Sequence, residues 1–170
     1  ESRERDEIER ILSELSEEAG SFADTIKISC ESAAELNLIF SKAQLAYKMK
    51  ATMPIINSRG VIELKKARHP LLDPKKAVPI DVSLGDKYDS LVITGPNTGG
   101  KTVSIKTIGL LTLMAECGLF IPANENSSIA VFKNVFADIG EEQSIEQSLS
   151  TFSAHMTTIV NISNNVDESS

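Results

Sequence analysis

An eight-residue run, Gly95-Pro96-Asn97-Thr98-Gly99-Gly100-Lys101-Thr102, dominates any reading of this sequence. It satisfies G-x-x-x-x-G-K-[ST] at every fixed position. The residue types have a chemical reason. Glycines let a loop curl until its backbone N–H groups face inward on phosphate oxygens. The positive end of a following helix favours the same anion. A lysine at position 101 reaches the β- and γ-phosphates, and the hydroxyl of Thr102 is placed to ligand Mg²⁺. Glycine makes up about 7% of ordinary sequences, so a chance match in a chain of this length is on the order of one percent or less. The run therefore predicts binding of ATP or ADP with Mg²⁺, by residues 95–102 together with Val103.

The flanks agree with that reading. Leu91-Val92-Ile93-Thr94 is a short apolar run that suits a strand buried on both faces. Val103 to Cys117 is strongly apolar and predicts a helix ending at Gly118. Upstream, Ile8, Ile11, Leu12, Leu15 and Ala19 recur at helical spacing and predict a helix over 2–19, with Gly20 as its stop. A second helix is expected from Glu31, or from as early as Ser21, to Met53, ended by Pro54. Together they read as a packed hairpin or an arm. After Pro54 the pattern changes. Ile55-Ile56 and Val61 to Leu64 are β-like runs parted by the turn Ser58-Arg59-Gly60, and Asp81 to Leu84 alternates as a half-buried strand does. Strands are also expected at Ile129–Phe132 and Val135–Ala137, and a last helix from Leu149 to Asn164. The class is α/β behind a helical segment.

Composition excludes several alternatives. The 170 residues are 41% hydrophobic, enough for one core of ordinary domain size. The longest apolar runs fall far short of the ~20 residues that span a bilayer. The two cysteines, Cys30 and Cys117, make neither a disulfide framework nor a metal spacing, and read as thiols of a reducing compartment. A net charge of −7 is a poor footprint for nucleic acid, so any DNA or RNA contact is expected elsewhere in a longer protein. The start at Glu1 and the polar end at Ser170 read as those of a segment of such a protein.

Downstream, the run from Phe136 to Met156, with Gln143-Ser144-Ile145-Glu146-Gln147 and Leu149-Ser150-Thr151-Phe152, resembles the signature region of MutS-type ATPases of the ABC superfamily. Gly-Pro-Asn ahead of Gly-Gly-Lys is similar to the loop of that family. Ala67-Arg68-His69-Pro70-Leu71-Leu72 and Phe120-Ile121-Pro122-Ala123 resemble two of its other stretches. Mismatch-repair members usually carry Met at the place of Thr98 and Ser at that of Thr102. Together with Gln143 to Gln147, this makes the chain resemble the second bacterial branch, MutS-two. The resemblance covers nearly the whole chain.

The resemblance implies an ABC-type P-loop core that is truncated, with residues 1–53 as a helical lever or core segment. Residues 54–170 would be the first part of the ATPase domain, lacking the Walker B strand and the elements beyond it. It implies a homodimer through facing ATPase domains in which Ser150 acts in trans on the γ-phosphate, beside Lys101 as the other catalytic group. Ser150 also reads as a helix N-cap. Asn97 is either a γ-phosphate or water contact or a turn residue. Gln143 is a possible γ-phosphate sensor. Val78 either packs on the adenine or belongs to the core. His69 reads as structural, and His155 as a solvated helix residue without a role. The parent would be a cytoplasmic bacterial enzyme, with no membrane association. It would act on branched DNA to restrain recombination, or on ribosomes, with nuclease activity in a further domain. The alternatives are a mismatch-repair MutS and a helical interaction module with an idle loop. An ABC transporter subunit fits less well, because glycine-rich sequence would follow Leu149-Ser150. After Ser150 the only acidic residues are Asp167 and Glu168, so the carboxylates that hold Mg²⁺ and activate water are not expected here.

Overall fold

A computed structural model describes residues 2–96, 99–139 and 148–167. It divides into two compact units, Glu1–Gln44 and Leu45–Ser170. The first unit is helical. Helix α1 spans Ser2–Ser21, and α2 begins at Ala23 and runs to Met49. Arg10 sits between Glu7 and Glu14 on the surface of α1, at 2.7 and 2.6 Å. These are i,i+3 and i,i+4 pairs of the kind that support an exposed helix.

The hairpin reading fails in this unit. Gly20 remains helical, and only Phe22 interrupts the two helices. The Phe22 N–H donates to Ala19 O at 3.1 Å, and the Ile26 N–H to Phe22 O at 2.9 Å. One residue with helical hydrogen bonding on both sides cannot reverse the chain. The apolar stripe of α1 (Ile8, Ile11, Leu12 and Leu15) consequently stays exposed.

The second unit starts inside α2, ahead of the change of character at Pro54. The last turn of α2 accounts for this, because Met49 packs on the core. The chain then makes a bridge between Thr52 and Ile121. Four strands come next: β1 (Ile55–Asn57), β2 (Ile62–Ala67), β3 (Ile80–Leu84) and β4 (Ser128–Ala130), with helix α3 (Lys101–Glu116) between β3 and β4. The sheet order is β1-β4-β2-β3. Strands β1 and β4 are parallel; β2 is antiparallel to both β3 and β4. A last helix, α4, spans Ser148–Asn165.

Alternation along β2 buries Ile62, Leu64 and Ala67 and turns Glu63 and Lys65 outward. The buried face meets Leu111, Met114 and Ala115 of α3, with Ile121, Ala123 and Ile129 closing the cluster. Helix α3 ends in paired bonds, Gly118 N–H to Ala115 O and Leu119 N–H to Met114 O, both 2.9 Å. With Gly118 at φ +68° this is a Schellman stop. The turn at Ser58–Gly60 forms as expected. Asn57 Oδ1 accepts from the N–H groups of Arg59 and Val61, at 3.0 and 3.3 Å. Its amide donates to Val61 O at 2.8 Å and to Ser128 Oγ at 2.7 Å, tying the turn to β4.

Two expected strands are not formed. Among the described residues no strand pairs with Leu91–Thr94, and Val92 is 83% exposed. An apolar run becomes a central strand only when ladders flank it, and the four strands present close their sheet without it. Val135–Ala137 likewise carries no ladder.

One bulge was not foreseen. The β2–β3 register shifts between Leu64 and Ala67, and Lys66 takes φ +49°. Asp81 holds this kink, its Oδ1 accepting the Lys66 N–H at 2.7 Å and its Oδ2 meeting Nζ at 3.3 Å. The Lys66 backbone N–H, then its ammonium, keep the Asp81 carboxyl below the usual carboxylate range.

Three outcomes are expected for purified protein. Leu111→Ala empties a fully buried site and should cost about 2–5 kcal/mol in denaturant unfolding. A Cβ on Gly85, at φ +89°, would lie 1.9 Å from Gly60 O, so Gly85→Ala should lose at least about 2 kcal/mol. Because folding lowers the Asp81 value, its stabilisation is complete above the unfolded value of about 3.9 and fades as pH falls through the folded one. The stability gap between wild type and Asp81→Asn should therefore be constant near neutrality and close in acid; a gap that widens in acid refutes the assignment.

Candidate functional site

The glycine-rich run enters α3. Gly100 is the residue before the helix, at φ +78° and ψ +14°, and no side chain caps the helix there. That left-handed conformation is costly for a residue with a Cβ, which accounts for glycine at this position. The Gly99 N–H donates to Pro96 O at 2.9 Å, between the two residues that flank Asn97 and Thr98 in the sequence. Asn97 and Thr98 themselves lie outside the described residues. The Lys101 Nζ folds back to donate to Gly95 O, six residues earlier in the chain. Thr102 and Val103 are both exposed. Ser104 secures the first turn, its N–H and its hydroxyl both donating to Gly100 O, at 2.9 and 3.0 Å. Thr107 lies deeper, buried, with its hydroxyl donating to Val103 O at 2.6 Å.

The position of this helix end is set by the core. The other two stretches that carry the resemblance meet behind it. The Arg68 N–H donates to Pro122 O at 2.9 Å, and the Asn124 N–H to Lys65 O at 2.7 Å. His69 has a local structural task, as expected: its Nδ1 accepts from the Leu71 N–H at 3.3 Å and its carbonyl from the Leu72 N–H at 3.2 Å. Val78 is 81% exposed, which removes the core reading.

An apolar groove of about 950 Å³ runs beside α3, lined by Leu91, Ile93, Ile105, Ile108, Phe132 and Phe136 among others. Leu91 and Ile93 turn into it while Val92, between them, faces out. The run before the loop thus keeps an alternation without a ladder.

Gln143 lies outside the described residues. Ser150 is the third residue of α4, so the N-cap reading does not hold. The reading of His155 also changes. Its Nδ1 lies 2.6 Å from Asp138 Oδ1, with only 33% and 28% of the two side chains exposed. Sequence reasoning missed this pair because nothing local marks two residues seventeen apart as neighbours. Among the described residues, no group of three or more His, Cys, Asp or Glu is placed to hold a metal. No helix among them is long and apolar enough to cross a membrane.

A helix of this geometry, opened by a glycine turn and carrying a lysine at its first position, occurs here in a mixed α/β unit. Residues 91–170 match the family profile described as MutS domain V. The chain belongs to the MutS family. Within that family it is of the MutS2 type. It is 57% identical over all 170 residues to the Endonuclease MutS2 of Caldanaerobacter subterraneus subsp. tengcongensis, covering 22% of that protein. The Endonuclease MutS2 of Halalkalibacterium halodurans is 57% identical over 169 residues, and that of Geobacillus sp. 58% over 168. In both cases 99% of this chain is covered, with 22% and 21% of the relative. The chain thus spans about a fifth of the length of the curated relatives it matches.

Proposed function

We propose that this chain supplies the phosphate-binding part of a MutS2-type ATPase, built on an ABC-type P-loop core. The observation that carries the reading is the left-handed Gly100 at the start of α3, with the Lys101 ammonium donating back to the Gly95 carbonyl. Backbone N–H groups at such a helix start hold phosphate oxygens, and the helix dipole adds to the attraction. Lys101 would leave the Gly95 carbonyl for the β- and γ-phosphates. Thr102 would give one oxygen to Mg²⁺, which draws charge from the phosphates when bound. Val103 and the exposed Val78 offer apolar surface for the rest of the nucleotide. Asn97 would stand near the γ-phosphate.

Ser150, on the first turn of α4, would meet the γ-phosphate of a second copy in a homodimer. In the whole protein, this ATPase would drive action on DNA, branched DNA above all, with ribosomes as a further substrate. The nuclease activity that the relatives' name states would belong to other parts of such a protein, in the cytoplasm of a bacterium. The mismatch-repair alternative gains nothing from the relatives above, which carry the MutS2 name.

The test is a titration of the chain with a fluorescent ATP analogue, with and without Mg²⁺, beside Lys101→Ala. Saturable binding is expected, weakened at least about tenfold by the substitution, as the loss of a charge-assisted phosphate contact requires. Equal binding by both proteins, or none by either, refutes the reading for this chain. Turnover should be negligible, because Asp167, an acid that follows Ser150, pairs with Lys133 at 3.3 Å and lies just past the end of a helix rather than at the end of an apolar strand. Sustained phosphate release that Lys101→Ala abolishes would contradict that expectation.

A further inference from the structure

We propose that Asp138 and His155 are positioning residues that fix the N-terminal half of α4 against the segment that follows β4. His155 is the eighth residue of α4, two turns in. Its Nδ1 meets Asp138 Oδ1 at 2.6 Å. That distance suits an imidazole N–H donating to a carboxylate, whether the ring is charged or neutral. About a third of each side chain remains in contact with water.

Two further contacts show what the pair belongs to. Lys133 Nζ meets Asp167 Oδ2 at 3.3 Å, just past the end of α4. The lower-numbered residue of the segment thus meets the far end of the helix, and the higher-numbered one its near half, so the segment runs antiparallel along α4. At its other end the Phe132 N–H donates to Glu116 Oε1 at 2.8 Å, in the last turn of α3. Residues 132–138 therefore form a strap, anchored to α3 through the backbone and to α4 through side chains. The Lys133–Asp167 pair is exposed, and such pairs contribute little. The Asp138–His155 bond is shorter and its side chains are less exposed, so it is the one able to hold the helix. Its use, presenting the turn that carries Ser150, rests on the nucleotide reading; the pinning itself does not.

Peptide-resolved hydrogen exchange on the whole chain, without nucleotide, tests this. His155→Phe keeps a ring but removes the donor, Asp138→Ala removes the acceptor, and His155→Asn restores an N–H donor near the place of Nδ1. His155→Phe and Asp138→Ala should speed exchange over residues 148–155 at least about tenfold, with α3 unchanged, as expected for a local opening. His155→Asn should stay within about threefold of wild type. The proposal is overturned if His155→Phe exchanges like wild type, or if His155→Asn is as fast as His155→Phe. It is equally overturned if α3 loosens in parallel, or if the wild-type turn already exchanges like open chain. Because no nucleotide is present, failure here leaves the Lys101 titration intact, and failure of that titration leaves this result standing.

Discussion

Leu64, Leu111, Ile121 and Ile129 are withdrawn almost completely from water, and they come from β2, α3, the bridge to Thr52, and β4. Burying one such side chain contributes about 1.5–3 kcal/mol, so four of them meeting at one point outweigh any surface pair in the molecule. This contact fixes the rotation of α3 about its axis. The direction of the helix start, and with it the placement of Gly100 and Lys101, depends on that rotation. A residue lost from the cluster would loosen the loop without touching it.

The core is short in strands, and polar side chains make up part of the difference. Asn57 closes its own turn and reaches Ser128. Ser127 is buried, with its hydroxyl donating to Asn124 O at 2.7 Å and accepting from the Lys65 N–H at 3.1 Å. The Thr52 hydroxyl donates to Ala123 O at 2.8 Å. Each bond satisfies backbone where the ladder stops, and among the described residues no buried side-chain nitrogen or oxygen lacks a partner. These bonds let the irregular stretches 67–72 and 120–124 pass close behind α3. The loop is therefore supported by two segments distant from it in sequence.

Apolar surface remains in water at several places, along α2 and α4 among them, and two of these bear on the sequence reading. One is the stripe along α1, and the other is the groove beside Leu91 and Ile93. Patches of this kind mark surfaces that associate. They also explain why local signals were misread there. Period-2 and period-3.6 patterns report which face of an element is apolar, but not whether a neighbour covers it. Leu91 to Thr94 has the composition of a central strand and, without flanking ladders, is not one. The helices around Phe22 have the composition of a hairpin or an arm, and helical hydrogen bonds on both sides of Phe22 leave the arm.

What the sequence determined by itself was local. The glycine run set the start of α3, because only glycine takes the conformation found at Gly100 without strain. Alternation set β2 and β3, and Asn57 with Gly60 set the turn before β2. The resemblance to MutS-type ATPases was likewise carried by contiguous residues, and the relatives' identity over the whole chain agrees with it. Tertiary structure decided what depends on distant partners. It joined Asp138 to His155, made Asp81 the support of a bulge at Lys66, brought Arg68 to Pro122, and left Val78 outside the core. Such contacts depend on distances between side chains that the chain path alone brings together, and no periodicity within a segment encodes them.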